Sequence, residues 1–288
     1  MTANPPEGTG TIDEADSRGG RLRGFDPSVP SPARMWNYWV GGKDHFAADR
    51  EAAEKIMGAM PAMPMVARSV RTLLTDIVQA LAAGHRIRQF LDIGTGLPTA
   101  DNTHEVAQRT AADSRVVYVD NDPVVLAHAR ALLTSTAEGA TDYIEADLRD
   151  SDAILTGATQ TLDFSQPVAV LLFSVLHFIP DADDPYTIVK RLMDAVPAGS
   201  YLVVCHAPSD RRAEQVAELA RRYSASGAAP MRPRSHEEVT RFFDGLDLLS
   251  PGVVPSSEWP SPGRPAAQIS LAGYVGVARK PFLNTEHG

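Results

Sequence analysis

Apolar positions change their spacing along this chain. Val66, Val70, Leu73, Leu74, Ile77, Val78 and Leu81 recur at three- and four-residue intervals, the period that gathers side chains on one face of an α-helix, and Gly84 follows as a stop. Downstream the pattern becomes short apolar runs separated by helical stretches, the rhythm of βαβ units and a parallel sheet. Strands are expected over 89–93, 116–120, 142–146, 168–173 and 200–206. Helices fit between them near 100–110, 123–134, 185–195 and 211–223, with a short one around Asp152. Asp184 before Pro185 is a cap and first-turn pair. Ser235 and Glu238 form a capping-box signature for a further helix through Phe243. The last two strand-like runs, 246–254 and 268–279, have no helical pattern between them, so a hairpin is expected rather than another crossover.

Five βα repeats, a helix and a terminal hairpin describe an α/β fold. The expectation is a Rossmann-like, seven-stranded, mostly parallel sheet with a C-terminal antiparallel hairpin and an N-terminal helical cap. Residues 1–31, rich in Gly, Pro and charge, have little to bury and are expected to form a disordered tail. Residues 32–84 form the cap, interrupted at Gly41-Gly42, Pro61 and Pro64, and 85–288 the main domain. The net charge of -9 argues against a nucleic-acid phosphate backbone as principal partner and favours a small-molecule or protein substrate. A single cysteine, Cys205, excludes an internal disulfide, and no Cys/His spacing suits zinc, so no metal is expected. The absence of an apolar signal or membrane-length run leads to the expectation of a cytoplasmic protein with no membrane partner. Nothing in the sequence fixes an oligomeric state.

The densest chemical signal is the run Phe90 to Thr99, FLDIGTGLPT, an apolar strand ending in Asp92 and a glycine turn through Gly94, Thr95 and Gly96. Such glycines let the backbone approach a ligand closely. A diphosphate site wants a third glycine before the helix; here Thr99 stands there, and the Asp92 carboxylate suits a cationic amino group better. The second strand ends at Asp120, which can accept two ribose hydroxyls, and the third in Glu145-Ala146-Asp147-Leu148, where Asp147 can accept an adenine amino proton and Leu148 offer its N–H. Strand carboxyl ends near the switch point are where open α/β sheets bind ligands. Each carboxylate alone is also explained as a strand-end or helix-start residue; their joint spacing favours one site.

The runs DIGTGLPT, YVDNDP, EADLR and LLFSVLHFIPD resemble the class I S-adenosylmethionine-dependent methyltransferases over about residues 88–280. PARMWNYWVGGKDHFAADR with GLPTADNTHEVAQ is similar, more narrowly, to a bacterial family known only as S-adenosyl methyltransferase. The resemblance implies S-adenosyl-L-methionine as cofactor. It implies that Asp92 and the Gly94–Gly96 backbone hold the methionine portion, Asp120 the ribose, and Asp147 with Leu148 the adenine, bordered by Asn121. Ser174, after the fourth strand, would supply backbone contacts to the methionine amine.

Methyl transfer needs a nucleophile placed near the methyl carbon and water kept out, so a general base is optional. His177, in Ser174-Val175-Leu176-His177-Phe178, can deprotonate a hydroxyl, or can merely line the pocket; Tyr38 is the second catalytic candidate. The missing Asn/Asp-Pro-Pro-Tyr run disfavours nucleic-acid base methylation. Asn37, Tyr38, Lys43 and Asp44 around Gly41-Gly42 suit a lid over substrate, or else belong to an amphipathic helix packing Trp36 and Trp39 on the sheet. Met57, Met60, Met63 and Met65 suit either an adaptable substrate mouth or plain packing, and Trp259 either a pocket wall or a loop anchor. The expected activity is O- or N-methylation of a small-molecule acceptor. The alternatives are a catalytically silent S-adenosylmethionine-binding protein and an NAD(P)-dependent oxidoreductase.

Overall fold

The computed structural model describes residues 25–260 and 273–282. Most of the expected tail, and residues 268–272 of the last expected strand, lie outside them. The heptad-like stripe of Val66 to Leu81 is buried along helix α3 (Met63–Gly84), which follows α1 (Pro32–Val40) and α2 (Ala47–Met57). Strands β1 (Gln89–Ile93), β2 (Arg115–Asp120), β3 (Ala140–Glu145), β4 (Ala169–Phe173) and β5 (Tyr201–His206) run parallel in the order β3-β2-β1-β4-β5. Helices α4 (Thr103–Thr110), α5 (Pro123–Leu132), α6 (Ser151–Ala158) and α7 (Pro185–Ala195) make the crossovers, and α8 (Ala213–Ala225) and α9 (His236–Thr240) follow β5. Helix α4 starts later than its pattern predicts because Asn102 caps it, its N–H donating to Glu105 Oε2 at 2.8 Å.

Among the described residues the sheet has eight strands where seven are expected. The run 246–254 is not one strand but two short ones, β6 (Asp247–Leu248) and β7 (Val254–Pro255), both antiparallel to β8 (Tyr274–Arg279). Between them the chain turns, Gly252 N–H donating to Leu249 O at 2.7 Å, and Pro251 has no N–H to offer a ladder. β8 itself lies antiparallel between β5 and β6, which gives the expected terminal reversal.

Alternate strand residues face opposite layers, as the two-residue period requires. Ala169, Leu171 and Phe173 of β4 join Trp39, Leu73 and Tyr223 from the helices on one face. Val170 and Leu172 join Ile154, Leu192 and Phe242 on the other. Leu171 and Leu172 are fully buried, and burial of each leucine side chain contributes about 1.5–3 kcal/mol. Helices α1 to α3 therefore share a core with the sheet itself. Among the described residues, no helix is long and apolar enough to cross a membrane.

Candidate active site

β1 is flanked by β2 on one side and β4 on the other, so the chain reverses direction of winding there and the strand ends part. A cavity of about 740 Å³ opens at that point, within the range of small-ligand sites. Asp92, Gly94, Thr95, Gly96, Asp120, Asn121, Asp147, Leu148, Ser174 and His177 all border it. Ten residues singled out from the sequence are thus brought together from four successive strand ends.

Asp92 is buried at the end of β1 and accepts from Thr103 Oγ1 at 2.6 Å. Burial pushes its carboxyl up, and the Thr103 bond and the Arg71 charge oppose the rise. Gly94 and Gly96 have φ of 73° and 67°, a region that costs other residues strain. A Cβ at Gly94 would strike Val175 at 2.6 Å, whereas the direction of a Cβ at Gly96 is open. Asp120 accepts from Gly96 N–H and Asp122 N–H, each at 2.9 Å, so the glycine turn is tied to the next strand end. Burial raises the Asp120 carboxyl to about 6 despite those bonds. Asp147 is half-exposed, paired with Arg149 at 2.8 Å and reached by Asn121 Nδ2 at 3.4 Å. Ser174 adopts φ of 56° just after β4, and its N–H donates to Cys205 O at 2.9 Å.

His177 lies on a short 3-10 turn, Leu176–Phe178, and is buried. Burial, then His206 and Arg234, pull its imidazole well below the usual range, so it is neutral at neutral pH. The turn is clamped from outside. The fully buried Arg234 donates to Leu176 O and Ile179 O, each at 2.9 Å, and Arg232 N–H donates to His177 O at 2.7 Å. Beyond His177 the cavity wall is a row of rings in contact. His177 meets Phe178 at 4.4 Å between centroids, Phe178 meets Tyr223 at 5.3 Å, Tyr223 meets Trp39 at 6.2 Å, and Trp39 meets Trp36 at 6.1 Å. Met60 and Met63 border the same chamber, while Met57 packs against the core and Met65 is exposed.

The remaining candidates lie elsewhere. Tyr38 does not border the cavity, and its hydroxyl donates to Glu54 Oε1 at 3.0 Å. Asn37 Oδ1 accepts from Asp44 N–H at 3.0 Å and so holds the Gly41-Gly42 turn; both residues border a second, shallower hollow. Lys43 is exposed, and Trp259 packs against the core without bordering the cavity. His104, the histidine of the run GLPTADNTHEVAQ, is buried and hydrogen-bonded through Nδ1 and its N–H to Tyr118 Oη, each at 2.8 Å.

Several neighbours of the site have no role assigned from the sequence. Arg71, on α3, borders the cavity beside Asp92 and donates to Thr99 Oγ1 at 2.6 Å. Arg34, on α1, joins Asp49 at 2.9 Å and Asp122 at 3.2 Å, all three buried. Asp122 caps α5 by accepting from Val124 N–H ahead of Pro123, the same Asp-Pro pair that marks the start of α7. That signal was available in the sequence. Nothing in the spacing of Arg71 or Arg34 points to what each meets.

Carboxylates at three strand ends, an open glycine backbone and an apolar chamber suit an adenosine carrying a cationic amino acid, with an apolar second ligand alongside. Among the described residues no three His, Cys, Asp or Glu side chains converge as a metal site.

Similarity to known proteins shows the family. The family model described as S-adenosyl methyltransferase matches residues 20–281. The crystal structure of a DUF574 family protein from Streptomyces avermitilis MA-4680 is similar at a TM-score of 0.84 and 42% identity, covering 89% of this chain and 99% of that one. A methyltransferase candidate from Thermobifida fusca YX is similar at 0.79 and 36% identity, covering 88% of this chain and 96% of that one. No curated protein matches the sequence. With the family match and these two relatives spanning nearly the whole chain, the protein belongs to the S-adenosyl methyltransferase family, and its cofactor is S-adenosyl-L-methionine.

Proposed function

We propose that the protein methylates an oxygen or nitrogen of a small, apolar, ring-containing acceptor. The observation that carries this reading is the continuity of one cavity from the three strand-end carboxylates to the aromatic row of Trp36, Trp39, Tyr223, Phe178 and His177. S-adenosyl-L-methionine supplies an electrophilic methyl group on a sulfonium. Asp120 accepts the ribose hydroxyls; Asp147 and the Leu148 N–H meet the adenine, with Asn121 at its border. Asp92, the Gly94–Gly96 backbone and the Ser174 main chain hold the methionine portion.

The acceptor's body lies against the rings, where flat apolar surface is removed from water. Sulfonium methyl transfer needs mainly alignment and a dry site, so the chamber walls contribute by orienting the acceptor atom and excluding water. His177, neutral because it is buried, takes the proton released by the acceptor's hydroxyl or amine.

The test runs calorimetric titration with S-adenosylmethionine, S-adenosylhomocysteine and NADH in parallel, followed by mass-spectrometric detection of methylated product across phenols, hydroxy acids and aromatic amines. Binding of the sulfur ligands alone with a product 14 Da heavier, about one CH₂, is the expected result. Tight cofactor binding without product across that panel would leave a binding protein in place of an enzyme.

A further inference from the structure

Arg71 and Asp92 border the same cavity, one from α3 and one from the end of β1. Each acts on the other's charge. Yet they do not close into an ion pair, and among the described residues no carboxylate stands within ion-pair distance of the Arg71 guanidinium, whose hydrogen bond goes to the uncharged Thr99 Oγ1 at 2.6 Å. Burial pulls Arg71 down from its ordinary value, as expected for a cation held out of water. A partly buried guanidinium beside, but not joined to, a buried carboxylate presents opposite charges side by side. That is the complement of a zwitterion. An α-amino acid carries an ammonium and a carboxylate on one carbon, and the planar fork of arginine matches a carboxylate with paired N–H donors.

We propose that Arg71 binds the α-carboxylate of the cofactor's methionine portion while Asp92 faces its ammonium group, which makes Arg71 a binding residue contributed by the N-terminal helices. This rests on the cofactor placement given under Proposed function. Thr99, at the position where a dinucleotide fold would carry glycine, then has a definite task. Its hydroxyl holds the guanidinium in the cavity wall, and its N–H is fixed by Asn102 Oδ1 at 3.0 Å. The arrangement also links cofactor recognition to the cap, because Arg71 borders both the main cavity and the hollow lined by Asn37 and Asp44.

The experiment titrates the wild-type chain, Arg71→Gln and Arg71→Lys with S-adenosylmethionine, its decarboxylated analogue and methylthioadenosine. The expected result is that wild type prefers S-adenosylmethionine over the decarboxylated analogue by roughly 10- to 100-fold, the range for a lost charged hydrogen bond. Arg71→Gln should lose that preference by weakening only the carboxylated ligand, and Arg71→Lys should restore part of it. Methylthioadenosine should bind all three chains alike, which reports that the variants are folded and the adenosine end is intact. Wild-type indifference to decarboxylation, or a preference that survives in Arg71→Gln, would overturn the assignment of Arg71 alone. Equal weakening of all three ligands in folded Arg71→Gln would overturn it too, by making Arg71 structural. If wild type bound none of the ligands, the cofactor placement would fall and Arg71 with it.

Discussion

Arg34 Nη1 lies 3.2 Å from Asp122 Oδ2 across 88 positions of sequence. Asp122 in turn donates its backbone N–H to Asp120 Oδ1 at 2.9 Å, so the first helix is joined by two links to the strand end that borders the cavity. The other edge of the same guanidinium is held by Asp49, which also accepts the N–H groups of Ser31 at 2.9 Å and Phe46 at 2.8 Å. Replacing Arg34 by Met leaves two buried carboxylates without their cation. The expected loss is about 3–5 kcal/mol, the cost of breaking a buried pair from one side, read from the urea midpoint at constant slope. A loss under about 1 kcal/mol would mean that the charges are solvated in solution.

Asp120→Ala should weaken S-adenosylmethionine binding by about 1–3 kcal/mol, as when a charged hydrogen-bond acceptor is removed. Calorimetry on the folded variant decides this, and unchanged affinity removes Asp120 from the ribose.

Asp120 also sets a pH dependence. Its carboxyl rises to about 6 in the fold from 3.8, so the native state holds the proton more tightly than the unfolded chain. Its contribution favours folding below pH ~4, is lost as pH rises through the window from about 4 to about 6, and is level above. The whole swing is about 3 kcal/mol. Other carboxylates, such as Asp181 and Glu238, are lowered and slope the opposite way, so the measurable quantity is the wild-type minus Asp120→Asn difference across pH 4 to 7. If Asp120 accepts the ribose hydroxyls as proposed, ligand affinity should climb through the same window in wild type and stay flat in Asp120→Asn.

His177→Ala should leave cofactor affinity within about twofold while lowering turnover of an identified acceptor by roughly 10²–10⁴, the usual reach of a general base. Because the imidazole is held well below its ordinary range, the wild-type rate should show no inflection near pH 6.5. An inflection there, or a large affinity loss in the variant, would contradict the role given to this ring.

Ser174 has φ of 56°, a conformation that costs a non-glycine residue about 1–2 kcal/mol. Ser174→Gly should be at least as stable as wild type in urea, and Ser174→Val, β-branched, less stable than Ser174→Gly by about 2 kcal/mol or more. The reverse order would place the strain elsewhere.

Elements with a simple pattern were legible before folding. The stripe of α3 repeats one spacing and β1, β2, β4 and β5 are short apolar runs, and α3, β1 and β2 end at Gly84, before Gly94 and at Asp120. The strand-end carboxylates were legible for the same reason, since a polar residue closing an apolar run stands out. The break between β6 and β7 depends on Pro251 and a turn within a run whose apolar content still looked strand-like. Arg71, Arg34 and Arg234 were illegible for another reason. Each is an ordinary polar residue in its own segment and gains meaning only from the groups that folding brings to it, Thr99 for Arg71, Asp49 and Asp122 for Arg34, and Leu176 and Ile179 for Arg234. Tyr38 shows the converse, a plausible chemical residue whose hydroxyl finds a nearer partner in Glu54.

The ring row from Trp36 to His177 draws its members from α1, α8 and the turn after β4, stretches that meet only when the sheet and its helices have assembled. No part of the chain holds the chamber alone, so occupancy and global folding form a single thermodynamic linkage. A ligand that recognises this wall at a hundred times its dissociation constant adds about 2.7 kcal/mol to the whole protein. Melting-temperature shifts across a library of flat apolar molecules would therefore report acceptors directly, before any reaction has been observed.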